Sequence, residues 1–311
     1  MPVMNVYPFE FKPIYKERIW GGQKLKNFFD KDIPAGTKIG ESWELADLPG
    51  NKSVIANGSL AGKTLAEVIE KYPEEVTGSN NYKPPFPLLI KFLDAEDIVS
   101  VQVHPDAQTC KKIGKGDPKT ECWYIIAAQP DSYLYKGLRP GTTKEQFAEA
   151  IKAETCAEFL NKVPAETGQC HFLPAGTVHA LGSGLLIAEI QTPSDTTYRV
   201  FDWNRLQNGK PRQLHIAEAL QSIHFNQSPE DLAVTTSGQL VDSEVFKIDK
   251  NPDTLLNPGQ MKVLIIIEGN GRITSLDSQV LFTKGQTILV PAAFKGQMEL
   301  EAESQYLLIT T

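Results

Sequence analysis

The sequence predicts a mainly β protein with a small helical part, whose antiparallel strands form a sandwich or barrel. Short runs of β-branched and aromatic residues recur along the chain, with turn-forming residues between them. The 311 residues include 23 glycines and 21 prolines, the residues that most often form tight turns. Helical periodicity is confined to a few stretches. The chain is long enough for two globular domains, each with its own core.

The predicted strands are short apolar runs, and turn signals bound most of them. They cover residues 53–55, 88–93, 100–103, 121–127, 132–135, 170–173, 185–191, 198–202, 262–268, 271–275 and 287–290. Their close spacing favours antiparallel neighbours over crossover connections.

Three stretches carry helical signals. A Thr-x-x-Glu capping pattern at Thr64 predicts a helix over residues 65–71. A similar pattern at Thr143 opens a helical stretch at about 143–161, as one or two helices. Apolar residues at helical spacing predict a third helix over 212–223.

The polar stretch of residues 224–238 is rich in Ser, Thr, Asn and Gln, which is typical of a connection between domains. We therefore expect a large domain over residues 1–228, with the predicted helices inserted in it. A smaller C-terminal β-domain follows over residues 239–311.

Composition excludes several classes of function. The formal net charge of −7 gives no electrostatic reason to bind nucleic acid or an anionic membrane. No apolar run approaches the ~20 residues of a membrane span, and residues 1–13 lack the apolar centre of a signal peptide. The four cysteines show no C-x-x-C spacing and are expected to be free thiols. A cytoplasmic protein is expected.

The strongest local motif runs over residues 168–183, where a strand leads through Pro174 and Gly176 to His179. Proline and glycine form a tight turn, so the returning strand directs one imidazole into the mouth of a barrel. Upstream, Gln102 and His104 end a predicted strand, and residues two apart project from the same face. Glu121 begins the next strong strand after a gap of sixteen residues.

These motifs resemble those of the cupin superfamily, with Ser183 where an asparagine is common. The pattern Gln-x-His-Pro, followed by Lys-Thr-Glu, is similar to the type I phosphomannose isomerases, which are mannose-6-phosphate isomerases. The resemblance implies a cupin fold, a double-stranded β-helix or jelly-roll barrel. It also implies that Gln102, His104, Glu121 and His179 bind Zn²⁺, for which such ligands are suitable. His171 is a rival ligand but is expected to be structural.

The resemblance extends from Arg18 to Trp203 and suggests residues that act on the substrate. A glutamate precedes the family's catalytic arginine by ten residues, which corresponds to Glu189 and Arg199. Lys91 lies inside an apolar strand, where an unpaired lysine is rarely buried. Lys91 and Ser100 match positions on the substrate side of the site, and Lys119 matches a lysine near it. Trp20, Trp43 and Glu44 are left outside the site.

The implied reaction moves a proton between C1 and C2 of an open-chain sugar phosphate through a cis-enediol. Arg199 supplies a fixed positive charge, and the base is either Glu189 or Lys119 with a depressed pKa. Lys91, Ser100 and Arg199 are the expected substrate-binding residues. Lys91 and Arg199 are the expected partners of the phosphate.

The C-terminal segment repeats part of the metal motif without its ligands. When Pro291 is aligned with Pro174, Gly296 takes the position of His179, and Lys262 falls opposite Glu121. A degenerate cupin repeat is therefore expected, with one zinc ion per chain. Two alternatives stay open, a metal-dependent cupin oxygenase and a non-catalytic sugar-binding cupin. The sequence leaves the oligomeric state open.

Overall fold

A computed structural model describes residues 6–228 and 232–311 and divides the chain into two compact units. The terminal unit contains the chain up to Ile14 together with Trp43–Ile90 and Thr236–Thr311. The central unit contains Tyr15–Ser42 and Lys91–Thr235. The division at 1–228 and 239–311 stays a prediction. Residues 1–5 and part of the predicted connection, residues 229–231, lie outside the described residues.

The described residues contain six α-helices, which are short and lie between strands. They are α1 Lys24–Phe29, α2 Leu65–Lys71, α3 Pro73–Thr77, α4 Ala107–Ile113, α5 Lys144–Lys152 and α6 Ile216–Ser222. Short 3₁₀ turns cover Gly58–Leu60 and Cys156–Phe159. No helix in the described part of the chain has the length and apolar character needed to cross a bilayer.

Strands supply most of the regular structure, which confirms the mainly β prediction. In chain order they are β1 Phe9–Glu10, β2 Ile14–Gly22, β3 Ile39–Leu45, β4 Asp47–Leu48, β5 Asn51–Lys52, β6 Leu89–Ala95, β7 Val101–Val103, β8 Glu121–Ala128, β9 Tyr133–Leu138, β10 Leu160–Pro164, β11 Cys170–Leu173, β12 His179–Leu181, β13 Leu185–Gln191, β14 Tyr198–Phe201, β15 Leu206–Gln207, β16 Lys210–Pro211, β17 Val234–Thr235, β18 Gln239–Asp242, β19 Lys247–Lys250, β20 Leu255–Leu256, β21 Lys262–Glu268, β22 Asn270–Thr274, β23 Gln279–Thr283, β24 Thr287–Val290, β25 Gly296–Leu300 and β26 Gln305–Thr310.

Two sheets form the central unit. One has the order β17-β11-β8-β13-β6-β3-β2, and the other has the order β10-β9-β12-β7-β14. Their facing side chains share one apolar cluster, to which β8 gives Trp123 and Ile125 and the second sheet gives Leu134 and Leu181. Because these side chains are almost fully buried, the cluster holds the two sheets face to face as a sandwich.

The terminal unit is a second sandwich of antiparallel strands. Its six-stranded sheet has the order β1-β24-β21-β26-β19-β18, and its four-stranded sheet has the order β20-β25-β22-β23. Leu264 and Ile288 of the larger sheet pack with Ile273 and Phe282 of the smaller one. This unit therefore has its own core.

The two sandwiches share a strand register. In the central unit Leu173, just before Pro174, pairs with Glu121. In the terminal unit Val290, just before Pro291, pairs with Lys262. After each proline a turn leads into the next strand, which begins at His179 in one unit and at Gly296 in the other. The register thus matches the alignment on which the repeat was predicted.

Helix α2 lies where the sequence predicted it, and Thr64 and Glu67 form the full capping box. The stretch predicted at 143–161 contains α5 and a 3₁₀ turn, and β10 then begins at Leu160. The helix predicted over 212–223 is wrong at its start, since α6 begins at Ile216. Arg212 binds Asp202 instead, and Gln213 and His215 bind Arg199 of β14.

Candidate active site

Three of the four predicted metal ligands meet at one point in the central unit. His104 follows β7, Glu121 begins β8 and His179 begins β12. Their ligand atoms all lie within 4.8 Å of one another. Each imidazole Nε2 is 3.3 Å from a different oxygen of Glu121. All three side chains are buried, so the group forms a preformed site for a cation.

The turn before β12 places His179 at this point. Gly176 has a φ of +87°, a conformation that favours glycine. A Cβ at this position would overlap the ring of His224. The amide of Gly176 donates a hydrogen bond to the carbonyl of His104 at 2.8 Å, which ties this turn to the end of β7.

Both histidines have the tautomer that a metal ligand needs. The Nδ1 of His104 donates to the carbonyl of Thr196, and the Nδ1 of His179 donates to the carbonyl of Thr177, each at 2.8 Å. The proton therefore resides on Nδ1, and the lone pair of Nε2 faces the centre. His104 Nε2 and Oε1 of Glu121 are buried without a hydrogen bond, and Oε2 of Glu121 is buried with the ammonium group of Lys119 as its ion-pair partner. Such atoms are costly to bury unless they bind something.

Gln102 is close enough to complete the set. It pairs with His179 across β7 and β12, and its amide lies 3.3 Å from His179 Nε2. Rotation of the amide by half a turn places Oε1 at that position without a change of shape. Gln102 also lines the cavity beside the centre, so it joins the metal ligands to the space that a substrate would occupy.

Charges around the centre keep its ligands in the forms that bind a cation. Burial, and then the charge of Lys119, lowers the pKa of His104, and burial lowers the pKa of His179 to about 4. Burial alone would raise the pKa of Glu121. Lys119 and the two imidazoles outweigh it and hold that pKa well below its usual range. Two neutral imidazoles and a carboxylate are therefore present at neutral pH.

A second buried group of charges adjoins the centre. Lys91 Nζ lies 2.9 Å from Glu189 Oε1, and the indole of Trp123 donates to Glu189 Oε2 at 3.0 Å. Lys119 Nζ lies 2.8 Å from Glu121 Oε2 and 3.9 Å from Glu189 Oε1. Burial lowers the pKa of Lys119, but the two carboxylates outweigh burial and raise it. Of the causes that act on the pKa of Lys119, burial alone acts in the direction that a depressed value requires.

Arg199 of β14 is fixed by three neighbouring groups. Its Nε donates to Ser100 Oγ at 3.3 Å, and its Nη1 donates to the carbonyl of Gln213 at 2.9 Å. Its backbone amide donates to His215 Nδ1 at 3.2 Å, and the amide of His215 donates to its carbonyl at 2.8 Å. These bonds keep residues 213–215 out of α6, which explains the late start of that helix.

A cavity of about 510 Å³ collects the predicted substrate-binding and acid–base residues. Its lining comprises Arg18, Ile19, Trp20, Glu41, Lys91, Leu93, Val99, Ser100, Gln102, Lys119, Glu189, Asp195, Thr197, Arg199, Gln207, Arg212 and Gln213. All the proposed catalytic and substrate-binding residues are among them. Its five basic and three acidic side chains give it an excess of positive charge, unlike the chain as a whole.

Sequence reasoning missed part of this lining. Arg18 and Trp20 lie in a segment that resembles the family, yet Trp20 was left out of the site as a core residue. Arg212 was assigned to a helix, and Asp195 was not among the predicted site residues. His171, the rival ligand, is not part of the metal group found among the described residues. Its Nε2 lies 3.2 Å from Gln169 Oε1 instead.

Known proteins that are similar to this chain in sequence and in fold share one family. The family model for the catalytic domain of type I phosphomannose isomerase matches residues 9–140. The probable mannose-6-phosphate isomerase GmuF of Bacillus subtilis is 36% identical over 97% of this chain and 98% of its own. A crystal structure of the mannose 6-phosphate isomerase of Bacillus subtilis superposes with a TM-score of 0.86 at 30% identity, covering 97% of this chain and 99% of that one. A zinc-bound mannose 6-phosphate isomerase shares the fold, with a TM-score of 0.76 at 16% identity over 98% and 99% of the two chains.

Proposed function

The chain belongs to the type I phosphomannose isomerases, and on that premise we propose that it interconverts mannose 6-phosphate and fructose 6-phosphate at a bound zinc ion, through a cis-enediol. Members of this family are aldose–ketose isomerases with a cupin fold and a C-terminal β-domain, the fold class that the sequence predicted. We further propose a cytoplasmic address and a sugar phosphate as the small-molecule partner, in keeping with four cysteines that form no disulfide.

The observation that carries the zinc proposal is the set of orphaned atoms at the centre. His104 Nε2 and Glu121 Oε1 are buried without hydrogen bonds, and Glu121 Oε1 lies 3.3 Å from His179 Nε2. Two imidazoles, one carboxylate and one amide oxygen from Gln102 form a donor set that suits Zn²⁺. When bound, zinc polarises a substrate oxygen and stabilises negative charge on it.

Glu189 is the proposed base. The ion pair of Lys119 with Glu121, with 2.8 Å between Nζ and Oε2, favours the ammonium form, which holds no lone pair to accept a proton. The carboxylate of Glu189 lines the cavity beside it, within reach of a bound substrate. We therefore assign to Glu189 the transfer of the carbon-bound proton between C1 and C2.

Arg199 and Lys119 are the proposed cations that face the enediol oxygens. Charge on these oxygens grows as the carbon-bound proton leaves, and fixed positive groups lower the energy of that state. Arg199 is held in place through Ser100 and Gln213, so little rearrangement is needed during the reaction. Lys91, Ser100 and Arg199 are the proposed contacts of the bound substrate.

One zinc ion per chain is proposed, because the terminal unit repeats the scaffold without the ligands. Lys262 occupies the register position of Glu121, and Gly296 begins the strand that corresponds to β12. A lysine and a glycine in place of a carboxylate and an imidazole cannot bind the ion. Elemental analysis that finds two zinc equivalents per chain would refute this part of the proposal.

The direct test is a coupled assay for conversion of mannose 6-phosphate to fructose 6-phosphate, with and without a chelator. His104→Ala should lose zinc and activity together, whereas Arg199→Ala should keep zinc and lose turnover. Zinc loss in the Arg199 variant would contradict the assigned role. Oxygen consumption without isomerase activity would favour the oxygenase alternative, and sugar binding without either activity would favour a non-catalytic cupin.

A further inference from the structure

Two arginines that the proposed mechanism does not use line the same cavity as Arg199. Arg18 lies on β2, and Arg212 lies in the loop before α6. The two lysines of the cavity are close to carboxylates, Lys91 to Glu189 and Lys119 to Glu121. A guanidinium, unlike an ammonium group, keeps a second edge of donors for an anion when a carboxylate occupies the first edge.

Each of these arginines is fixed on one side and leaves donors on the other. Arg18 Nε binds Glu41 at 2.7 Å, and its Nη1 donates to the carbonyl of Glu17 at 3.3 Å. Arg212 binds Asp202 through Nε, at 2.7 Å, and through Nη2. A guanidinium has five N–H donors in a rigid fork, so Nη2 of Arg18 and Nη1 of Arg212 are left with hydrogens to donate.

We infer that Arg18 and Arg212 bind the phosphate of the substrate. This inference rests on the proposed function, and it identifies the end of the cavity at which the phosphate lies. Gln102 lines the same cavity and contacts His179, so the carbon skeleton extends from these arginines toward the metal ligands. Bidentate arginine contacts suit the oxygens of a phosphate monoester.

Arg205 offers a matched control for Arg212. Both arginines bind the carboxylate of Asp202, Arg205 through Nη2 at 2.7 Å. Arg205 also binds Asp97, and it is absent from the cavity lining among the described residues. Replacing Arg205 therefore disturbs the same carboxylate without removing a donor from the cavity.

The experiment compares Arg18→Ala, Arg212→Ala and Arg205→Ala in zinc-loaded enzyme. We measure kcat and KM for mannose 6-phosphate, and the inhibition constant of inorganic phosphate. Loss of a charge-assisted hydrogen bond should raise KM roughly 10- to 100-fold in the first two variants, with kcat changed less than about threefold. The inhibition constant of phosphate should rise in parallel. In Arg205→Ala the KM for mannose 6-phosphate and the inhibition constant of phosphate should both stay within about threefold of the wild-type values.

The double variant Arg18→Ala/Glu41→Gln separates the guanidinium contact from net charge, because it removes one charge of each sign. Its KM should stay raised at least about fivefold. A KM equal to that of wild type, an unchanged inhibition constant in Arg18→Ala, or equal effects in Arg205→Ala would overturn the inference. Should Arg212→Ala fail to fold, Arg18→Ala still decides the question. Wild-type protein that does not convert mannose 6-phosphate would instead refute the proposed function.

Discussion

Replacing Lys91 by methionine removes the cation beside a buried carboxylate and keeps a side chain of similar length. Lys91 Nζ is 2.9 Å from Glu189 Oε1, and the two side chains are only 5% and 4% exposed. Removing one partner of a buried ion pair costs roughly 3–5 kcal/mol. Glu189 keeps the indole of Trp123 at 3.0 Å and Lys119 at 3.9 Å. We therefore expect Lys91→Met to lower the free energy of unfolding by about 3 kcal/mol, the lower end of that range.

Urea unfolding at equilibrium checks this value, with Lys152→Met as the control. Lys152 pairs with Glu149 on the surface, where both side chains are at least 70% exposed, and such pairs contribute about 0–1 kcal/mol. The double variant Lys91→Met/Glu189→Gln removes both charges, so it should be less destabilised than Lys91→Met alone. A double variant at least as unstable as Lys91→Met, or a loss below about 0.5 kcal/mol in Lys91→Met, would refute the reasoning.

Three further changes test the site and its support. Glu121→Gln keeps the shape of the side chain but removes the charge that neutralises the metal. The affinity for zinc, measured in competition with a chelator, should therefore fall roughly 100-fold or more. An unchanged affinity would exclude Glu121 as a ligand. Burial and the charge of Lys136 lower the pKa of His171 to about 4, so between pH 6.5 and 4 the unfolded chain binds a proton that the folded chain excludes. The free energy of unfolding should therefore fall on acidification, by about 3 kcal/mol from this group. In urea unfolding, His171→Gln should show a flatter pH dependence of this free energy than wild type. An equal pH dependence in the two proteins would contradict the assignment. Gly176→Ala places a Cβ against the ring of His224 at a φ of +87°. The variant should lose roughly 1–3 kcal/mol of stability in thermal unfolding and should bind zinc more weakly. Stability and zinc affinity equal to those of wild type would show that the turn adapts.

The proposed metal ligands were predicted from short local motifs and from the resemblance of these motifs to the family. The turn from Pro174 to His179 is a local backbone feature, and Gln102 of β7 lies beside His179. In the terminal unit the register of Lys262 agrees with the Pro291 alignment, since both follow from one strand–turn pattern. Such features depend on neighbours in sequence, so the motifs and their resemblance to the family are enough to propose them.

The phosphate end of the cavity depends on contacts that local sequence does not carry. Arg18 reaches the cavity because β2 lies at the edge of a sheet beside β3, where Glu41 binds it. Arg212 falls in a run with helical spacing, and its attachment to Asp202 competes successfully with the helix. The raised pKa of Lys119 likewise results from two carboxylates that only the folded chain brings together.

Removal and return of the metal tests the central claim most directly. The enzyme is stripped with a chelator, assayed for conversion of mannose 6-phosphate, and assayed again after zinc is titrated back. Activity should vanish on stripping and return in proportion to bound zinc, reaching its maximum at one equivalent per chain. Full activity in the stripped protein, or a return that needs no zinc, would contradict a reaction centred on Gln102, His104, Glu121 and His179.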